Sequence, residues 1–243
     1  MKLRLDEAMV QRGLVHSRSH AQRLIKMHKV VVGAMVVSQP SQEIYPQNTI
    51  EIIDKEDYVS RAAFKLSSVA KQFQLDFRDK TVLDVGSSTG GFTDYALQHG
   101  ANKVIAVDVG TDQLHPSLRN DDRIELHEKT DIRDFKTDRK IDLVVADVSF
   151  ISLRNILPAV SNLTSKNSIL VIMCKPQFEA GRDQVNKGVI KNSKIRRQIL
   201  ADFEQWLKDN NFKILDKADS QVAGTRGNVE RFYKIKKLTK VTI

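Results

Sequence analysis

The run Lys80-Thr-Val-Leu-Asp-Val-Gly-Ser-Ser-Thr-Gly-Gly-Phe-Thr-Asp94 constrains the fold more than any other stretch of the chain. Val82, Leu83 and Val85 read as a buried strand that carries Asp84 near its end. Gly86, Gly90 and Gly91 then open a loop, and a helix begins at Phe92. A strand that passes through a glycine loop into a helix is the first half of a strand–helix–strand unit. Glycine lets the backbone approach a ligand closely because no Cβ intervenes. The spacing here is G-x-x-x-G-G, not the G-x-G-x-x-G of a pyrophosphate cradle. An acid just before such a loop suits a ligand with an amine or a positive centre. The loop therefore points to S-adenosyl-L-methionine, held by Asp84, Gly86, Ser88, Thr89, Gly90, Gly91 and Phe92.

The rest of the C-terminal part repeats this alternation. Strands are predicted at 81–85, 103–108, 124–127, 141–147, 168–174, 213–217 and 231–235, with helices in most of the gaps. This is the pattern of a doubly wound α/β domain with a mostly parallel seven-stranded sheet. Ligands in such sheets sit beyond the carboxyl ends of the strands, so polar residues at those ends carry weight. Asp108 ends the second strand and is placed to accept from ribose hydroxyls, with Val109 beside it. Asp131 follows the third strand, where an adenine edge or a helix cap are the two readings. Asp147 ends the fourth strand in Asp-Val-Ser-Phe; the Asp/Asn-Pro-Pro-aromatic run of amino-methylating enzymes is absent. Lys175 closes the fifth, apolar strand, where Pro176 stops it. A lysine there is costly unless paired or functional, and a desolvated lysine can act as a base. Lys65, on the helix before the first strand, and Glu230, before the last, complete a set of four. Cys174 alternates away from Lys175 and reads as a small buried hydrophobe rather than a nucleophile. Trp206, near Phe203 and Leu207, reads as core.

The first residues form a different module. Leu5, Ala8 and Met9 share a helical face and Gly13 is placed to end that helix. Ser17 is the expected N-cap of a second helix reaching about His28. Ala21, Leu24 and Ile25 lie on one side of it, and Arg18, Arg23, Lys26 and Lys29 fall over the opposite arc. Strands follow at 30–32, 35–37 and 49–53. Residues 1–32 hold seven lysines and arginines, Arg4 among them, against two acids. A one-sided basic helix beside a small sheet is a phosphate-contacting face or, more plainly, a solvated one. The chain is thus divided into a small α+β domain over 1–54, a joint over 55–66 that begins the second part, and an α/β domain over 67–243. Residues 185–240 are basic again, with Lys187 and Lys191 in a cluster that reads as a second RNA face or, equally, as a solubilising surface; Arg61 is a further candidate RNA contact.

Here the residues resemble two known families. Arg4-Leu-Asp-Glu, Gly13-Leu-Val-His-Ser-Arg, Ala21-Gln-Arg-Leu-Ile and Pro40-Ser are similar to the RNA-binding domain first seen in the fourth protein of the small ribosomal subunit. The turns differ: Met27-His28-Lys29 lacks the usual glycine, and Val32-Gly33-Ala34 replaces an Asn-Gly hairpin. Tyr58-Val-Ser-Arg-Ala-Ala-Phe-Lys-Leu, the glycine loop, Asp108-Val-Gly-Thr-Asp-Gln-Leu, Asp147-Val-Ser-Phe-Ile-Ser-Leu, Lys175-Pro-Gln-Phe-Glu-Ala-Gly-Arg, Lys187-Gly-Val-Ile and Gly227-Asn-Val-Glu resemble the TlyA family. These are ribosomal RNA 2′-O-methyltransferases with an FtsJ-like domain, often labelled hemolysins. The resemblance covers nearly the whole chain. It implies S-adenosyl-L-methionine as methyl donor, no metal, a cytidine 2′-hydroxyl of rRNA as acceptor, and Lys65, Asp147, Lys175 and Glu230 as the catalytic tetrad. Asp131 departs from the family's usual asparagine. The short N-terminus is similar to compact members that act mainly on large-subunit rRNA.

Composition narrows the alternatives. A formal charge of +9 over 243 residues favours a polyanionic partner such as ribosomal RNA or a ribosomal subunit. One cysteine excludes an intrachain disulfide and fits a reducing, cytoplasmic setting. The charged start Met-Lys-Leu-Arg-Leu-Asp-Glu has no apolar core of a signal peptide. The longest clear apolar run, 169–174, is too short to span a bilayer. A membrane-active hemolysin therefore finds no support, and a non-catalytic rRNA-binding protein is opposed by the intact set of four polar residues.

Overall fold

A computed structural model of the chain describes residues 2–27, 29–33, 35–52, 58–181, 188–190, 192–222 and 227–238. The readings that rest on His28, Ala34, residues 53–57, Lys187, Lys191 and residues 224–226 lie outside the described residues. The chain separates into two compact units, Met1–Asp57 and Tyr58–Ile243.

In the first unit, β1 (Leu3–Arg4) leads into α1 (Leu5–Gln11), and α2 (Arg18–Lys26) follows. Ser17 caps α2 as its spacing predicts: its hydroxyl accepts from the His20 N–H at 3.2 Å. Three strands then form an antiparallel sheet, with β2 (Val30–Val32) between β3 (Met35–Val37) and β5 (Ile50–Ile52). The apolar face of each helix closes on that sheet: Leu5, Met9, Ala21, Leu24, Ile25 and Val30 are buried together. The sequence reading missed β1 and β4 (Glu43–Ile44), which pair with each other. Two residues are too few to show any alternation.

The second unit is a seven-stranded sheet in the order β11-β12-β10-β9-β6-β7-β8. Its strands are β6 (Thr81–Val85), β7 (Lys103–Val107), β8 (Ile124–His127), β9 (Ile141–Ala146), β10 (Thr164–Cys174), β11 (Phe212–Asp219) and β12 (Arg231–Lys237). The five strands from β10 to β8 are parallel, and β12 and β11 add an antiparallel edge. β10 starts four residues earlier than predicted, because a register irregularity after Thr164 interrupts the apolar run from which a strand is read. β11 likewise extends beyond its predicted ends, and its half-buried positions alternate with exposed Lys213, Leu215, Lys217 and Asp219.

Successive side chains point to opposite faces, and both faces are covered. On one, Leu83, Val144, Ile172 and Tyr233 pack with Ile156 and Leu157 of α5 (Leu153–Asn162) and Phe203 and Leu207 of α7 (Ser193–Asp209). On the other, Phe92 of α4 (Gly91–Gln98) meets Phe232 of β12 with ring centroids 6.2 Å apart. An aromatic group from Tyr58, Phe64, Phe77 and Tyr95 binds α4 to α3 (Arg61–Ala70). Cys174 is fully buried, which pushes its thiol pKa up. Trp206 packs against the core, stacked near Phe203 and Phe212. The chain's crossover lies between β6 and β9, from which successive strands run outward in both directions. The carboxyl ends there face a natural ligand crevice.

Candidate active site

That crevice is a cleft of about 370 Å³ at the ends of β6, β7 and β9. Gly86 forms part of its floor. Its φ is +81°, and a Cβ there would stand 2.8 Å from the Asp147 carbonyl oxygen. Only glycine lets these two strand ends come so close. Ser88 follows at φ +47° and donates its N–H to Asp108 Oδ2 at 2.8 Å. Asp108 Oδ1 accepts from the Gly110 N–H at 2.7 Å. The carboxylate is thus aimed by two backbone donors, and each oxygen keeps a lone pair for a ligand hydroxyl. Val109, exposed, and Asp131 also line the cleft, as does Gln113, which accepts from the Ser88 hydroxyl at 3.1 Å. Asp131 is gripped by Arg133, whose Nε and terminal nitrogen donate to it at 3.0 and 2.6 Å, and these bonds lower its pKa.

The remaining loop residues lie behind this wall. Asp84 is fully buried and accepts from the Thr93 hydroxyl at 2.6 Å. Burial pushes its carboxyl up to about 7, against the Thr93 hydrogen bond and with the help of Asp147 and Asp108. Thr89 presents its carbonyl to His115. Gly90, at φ +90°, is the N-cap of α4, and a Cβ there would collide with Leu118 and Leu114. Gly91 starts the helix, and Phe92 is core. These five residues shape the loop and are not among those lining the cleft.

The four polar residues assemble as two ion pairs. Lys175 Nζ lies 2.5 Å from Asp147 Oδ1 and donates to the Ser149 hydroxyl at 2.7 Å. Lys65 Nζ donates to Glu230 Oε1 at 2.9 Å. All four side chains are largely withdrawn from water, with exposures from 3 to 17%. Sheet register brings them together. Ala146 pairs with Ile172 and Cys174 with Arg231, so Asp147, Lys175 and Glu230 stand at one end of three adjacent strands. Lys65 comes from α3, 165 residues before its partner. Glu230 Oε2 is buried and makes no hydrogen bond among the described residues. Asp147 Oδ1, facing Lys175, is buried in the same way, and desolvated acceptors beside lysines are unusual outside functional sites.

Sequence reasoning missed Ser149, Phe150 and Gln113 at this site. Phe150 sits in the loop after β9 with φ +64° and 92% exposure, its ring 5.2 Å from that of Phe178. An exposed aromatic on a left-handed backbone is a costly arrangement. The clue was the pattern Asp147-Val-Ser-Phe, but exposure cannot be read from it.

In the first unit two of the expected RNA contacts are committed to an internal partner. Asp6, fully buried, accepts from Arg4 Nε at 3.0 Å, from Gln22 at 2.7 Å and from Arg18 at 3.3 Å. The Arg4 hydrogen bonds hold its carboxyl well below the usual range, against burial. Arg18 also meets Glu7 at 3.2 Å. Lys26 is exposed, and Arg23 and Lys29 are half-buried on the same side of the unit's sequence. Arg61 is the exposed first residue of α3 in the second unit.

The model of the FtsJ-like methyltransferase family matches residues 58–237, and that of the S4 domain matches residues 3–50. The chain belongs to the TlyA family of FtsJ-like methyltransferases. It is 44% identical over 180 residues to the 23S rRNA (cytidine-2′-O)-methyltransferase TlyA of Campylobacter jejuni, covering 73% of this chain and 70% of that one. It is 35% identical over 237 residues to the 16S/23S rRNA (cytidine-2′-O)-methyltransferase TlyA of Mycobacterium tuberculosis, covering 95% and 88%. A solved structure named as a hemolysin, from Streptococcus thermophilus, matches with a TM-score of 0.73 and 35% identity over 97% of this chain and 88% of that one. The chain is therefore a methyltransferase with an S4 domain before its catalytic fold. Among its described residues no helix is long and apolar enough to cross a membrane.

Proposed function

We propose that this TlyA-family chain transfers the methyl group of S-adenosyl-L-methionine to the 2′-hydroxyl of a cytidine in ribosomal RNA. The observation that carries this reading is the double lysine–carboxylate arrangement beside the cleft. The relatives that act on a cytidine 2′-hydroxyl support the acceptor. The cleft fits the donor: a glycine floor, a carboxylate aimed by backbone amides for a ribose diol, and apolar Ile132 and Ile156 on its wall. When bound, the donor supplies a methyl group activated by its sulfonium.

The residues of the chain do the rest. Lys175 takes or steers the proton of the attacking hydroxyl as the new bond forms. Asp147 and Ser149 hold its nitrogen in one place. Glu230 and Lys65 fix the adjoining wall and orient the ribose. Asp108, Gly86, Ser88, Val109 and Asp131 receive the donor. Arg23, Lys26 and Lys29 of residues 1–54 attract the phosphates, and Arg61, Lys187 and Lys191 are further phosphate contacts. The protein works in the cytoplasm, where its substrate is.

Tritium transfer from the donor to rRNA, followed by mapping of ribose methylation, tests the reading. Wild type is expected to label a cytidine ribose. Label on a base, or near-normal turnover by Lys175→Ala, would sink it.

A further inference from the structure

Glu179 lies four residues beyond Lys175, at the end of the single turn α6 (Pro176–Glu179). Its side chain is 1% exposed, yet it does not touch the cleft. Instead it crosses to the loop that follows β9. Its Oε2 accepts from the Ser152 hydroxyl at 2.5 Å and its Oε1 accepts from the Leu153 N–H at 2.7 Å. Arg154 Nε approaches Oε2 at 3.6 Å. Ser152 is also the N-cap of α5, accepting from the Arg154 N–H at 3.1 Å. The acid thus completes that cap from α6.

This gives the loop after β9 two anchors on the loop after β10. At the front, Asp147 and Ser149 meet Lys175. At the rear, Ser152 and Leu153 meet Glu179. The arch between them contains Phe150 in its left-handed conformation. Such a backbone persists only where its surroundings over-determine it. A carboxylate kept dry must be held by its hydrogen bonds, so a buried acid used only for capping is an expensive choice.

We infer that Glu179 is a positioning residue for methyl transfer: by clamping the 147–152 arch it holds Asp147 and Ser149 in register with Lys175. The inference rests on the catalytic reading of Lys175 given above.

The full-length chain is assayed as Glu179→Gln, which keeps size and loses charge, and as Ser152→Ala, which removes the same tie from the other side. Glu179→Gln is expected to lower kcat by about 10²-fold, the cost of a small misplacement of a reacting group. Its KM for rRNA and its calorimetric Kd for S-adenosyl-L-methionine should change far less than kcat, because Glu179 does not itself line the cleft, although the arch it holds does. Ser152→Ala should fall in the same direction, Ser152→Thr should restore kcat by keeping the hydroxyl, and the double variant should be no worse than Glu179→Gln alone. Should Glu179→Gln fail to fold, the Ser152 pair decides. Wild-type kcat in a folded Glu179→Gln or Ser152→Ala, or equal losses in kcat and binding, would overturn the clamp. Lys175→Ala, run alongside, separates the two failures. If it is inactive while the clamp variants turn over normally, only the positioning role falls. If it is active, the catalytic reading falls and takes the clamp with it.

Discussion

Asp84 is a carboxyl group sealed under the glycine loop, and its chemistry is set by that burial. An ordinary aspartate titrates near 3.8, whereas Asp84 in the fold does so at about 7. Between these values the unfolded chain has shed the proton that the folded chain still holds. Stability is therefore lost as pH rises through this window, and the penalty is complete above it. Asp84→Asn is expected to raise the melting temperature more above pH 7 than below it, by roughly 2–4 °C for each kcal/mol of penalty removed. A gap that does not change with pH would refute this. Lys175→Ala should reduce methyl transfer by roughly 10²–10⁴-fold, the usual worth of a general acid or base, while calorimetry still detects the donor. Phe150 is 92% exposed and lines the cleft. Phe150→Ala should raise KM for rRNA about tenfold, in line with ~1–3 kcal/mol for a stacked base, and should leave the melting temperature unchanged.

At the scale of elements, the close approach of β6 and β9 is the critical contact. It depends on one missing Cβ, that of Gly86, against the Asp147 carbonyl. Gly86→Ala should weaken donor binding and lower stability by about 1–3 kcal/mol, the range for a strained left-handed residue. Calorimetry and thermal melting would both register it, and an unchanged donor Kd would show that the floor can yield. The same logic explains α1 and α2. Two arginines whose spacing suggested phosphate contacts are drawn onto Asp6, a residue in the middle of the Arg4-Leu-Asp-Glu motif. An acid at the start of a helix usually faces water. Here it is buried, so the basic face is ordered by an internal anion before any RNA arrives.

For the whole molecule, charge and connectivity matter more than any single contact. A triple Arg23→Ala, Lys26→Ala, Lys29→Ala variant should weaken rRNA binding and flatten its dependence on log salt by about 2, from ~0.7 per phosphate contact on single strands, with donor binding unchanged. An unaltered salt slope would mean that these three residues do not meet phosphate. Much was legible beforehand. Strand and helix periods gave the α/β class, the glycine loop gave the crevice, and apolar faces such as Leu5-Ala8-Met9 gave the small core, because these depend on local spacing. Polar residues at strand ends could be flagged for the same reason. Their partners could not. That Lys65 meets Glu230 across 165 positions and that Glu179 reaches Ser152 follow from how the strands are ordered in the sheet; that Arg4 turns inward follows from the burial of Asp6. The sequence by itself determined which elements form and which residues stand at their ends, since backbone geometry repeats every two or 3.6 residues. Only the tertiary structure decided which of those residues share a desolvated space, since burial and pairing of charge are properties of the folded whole.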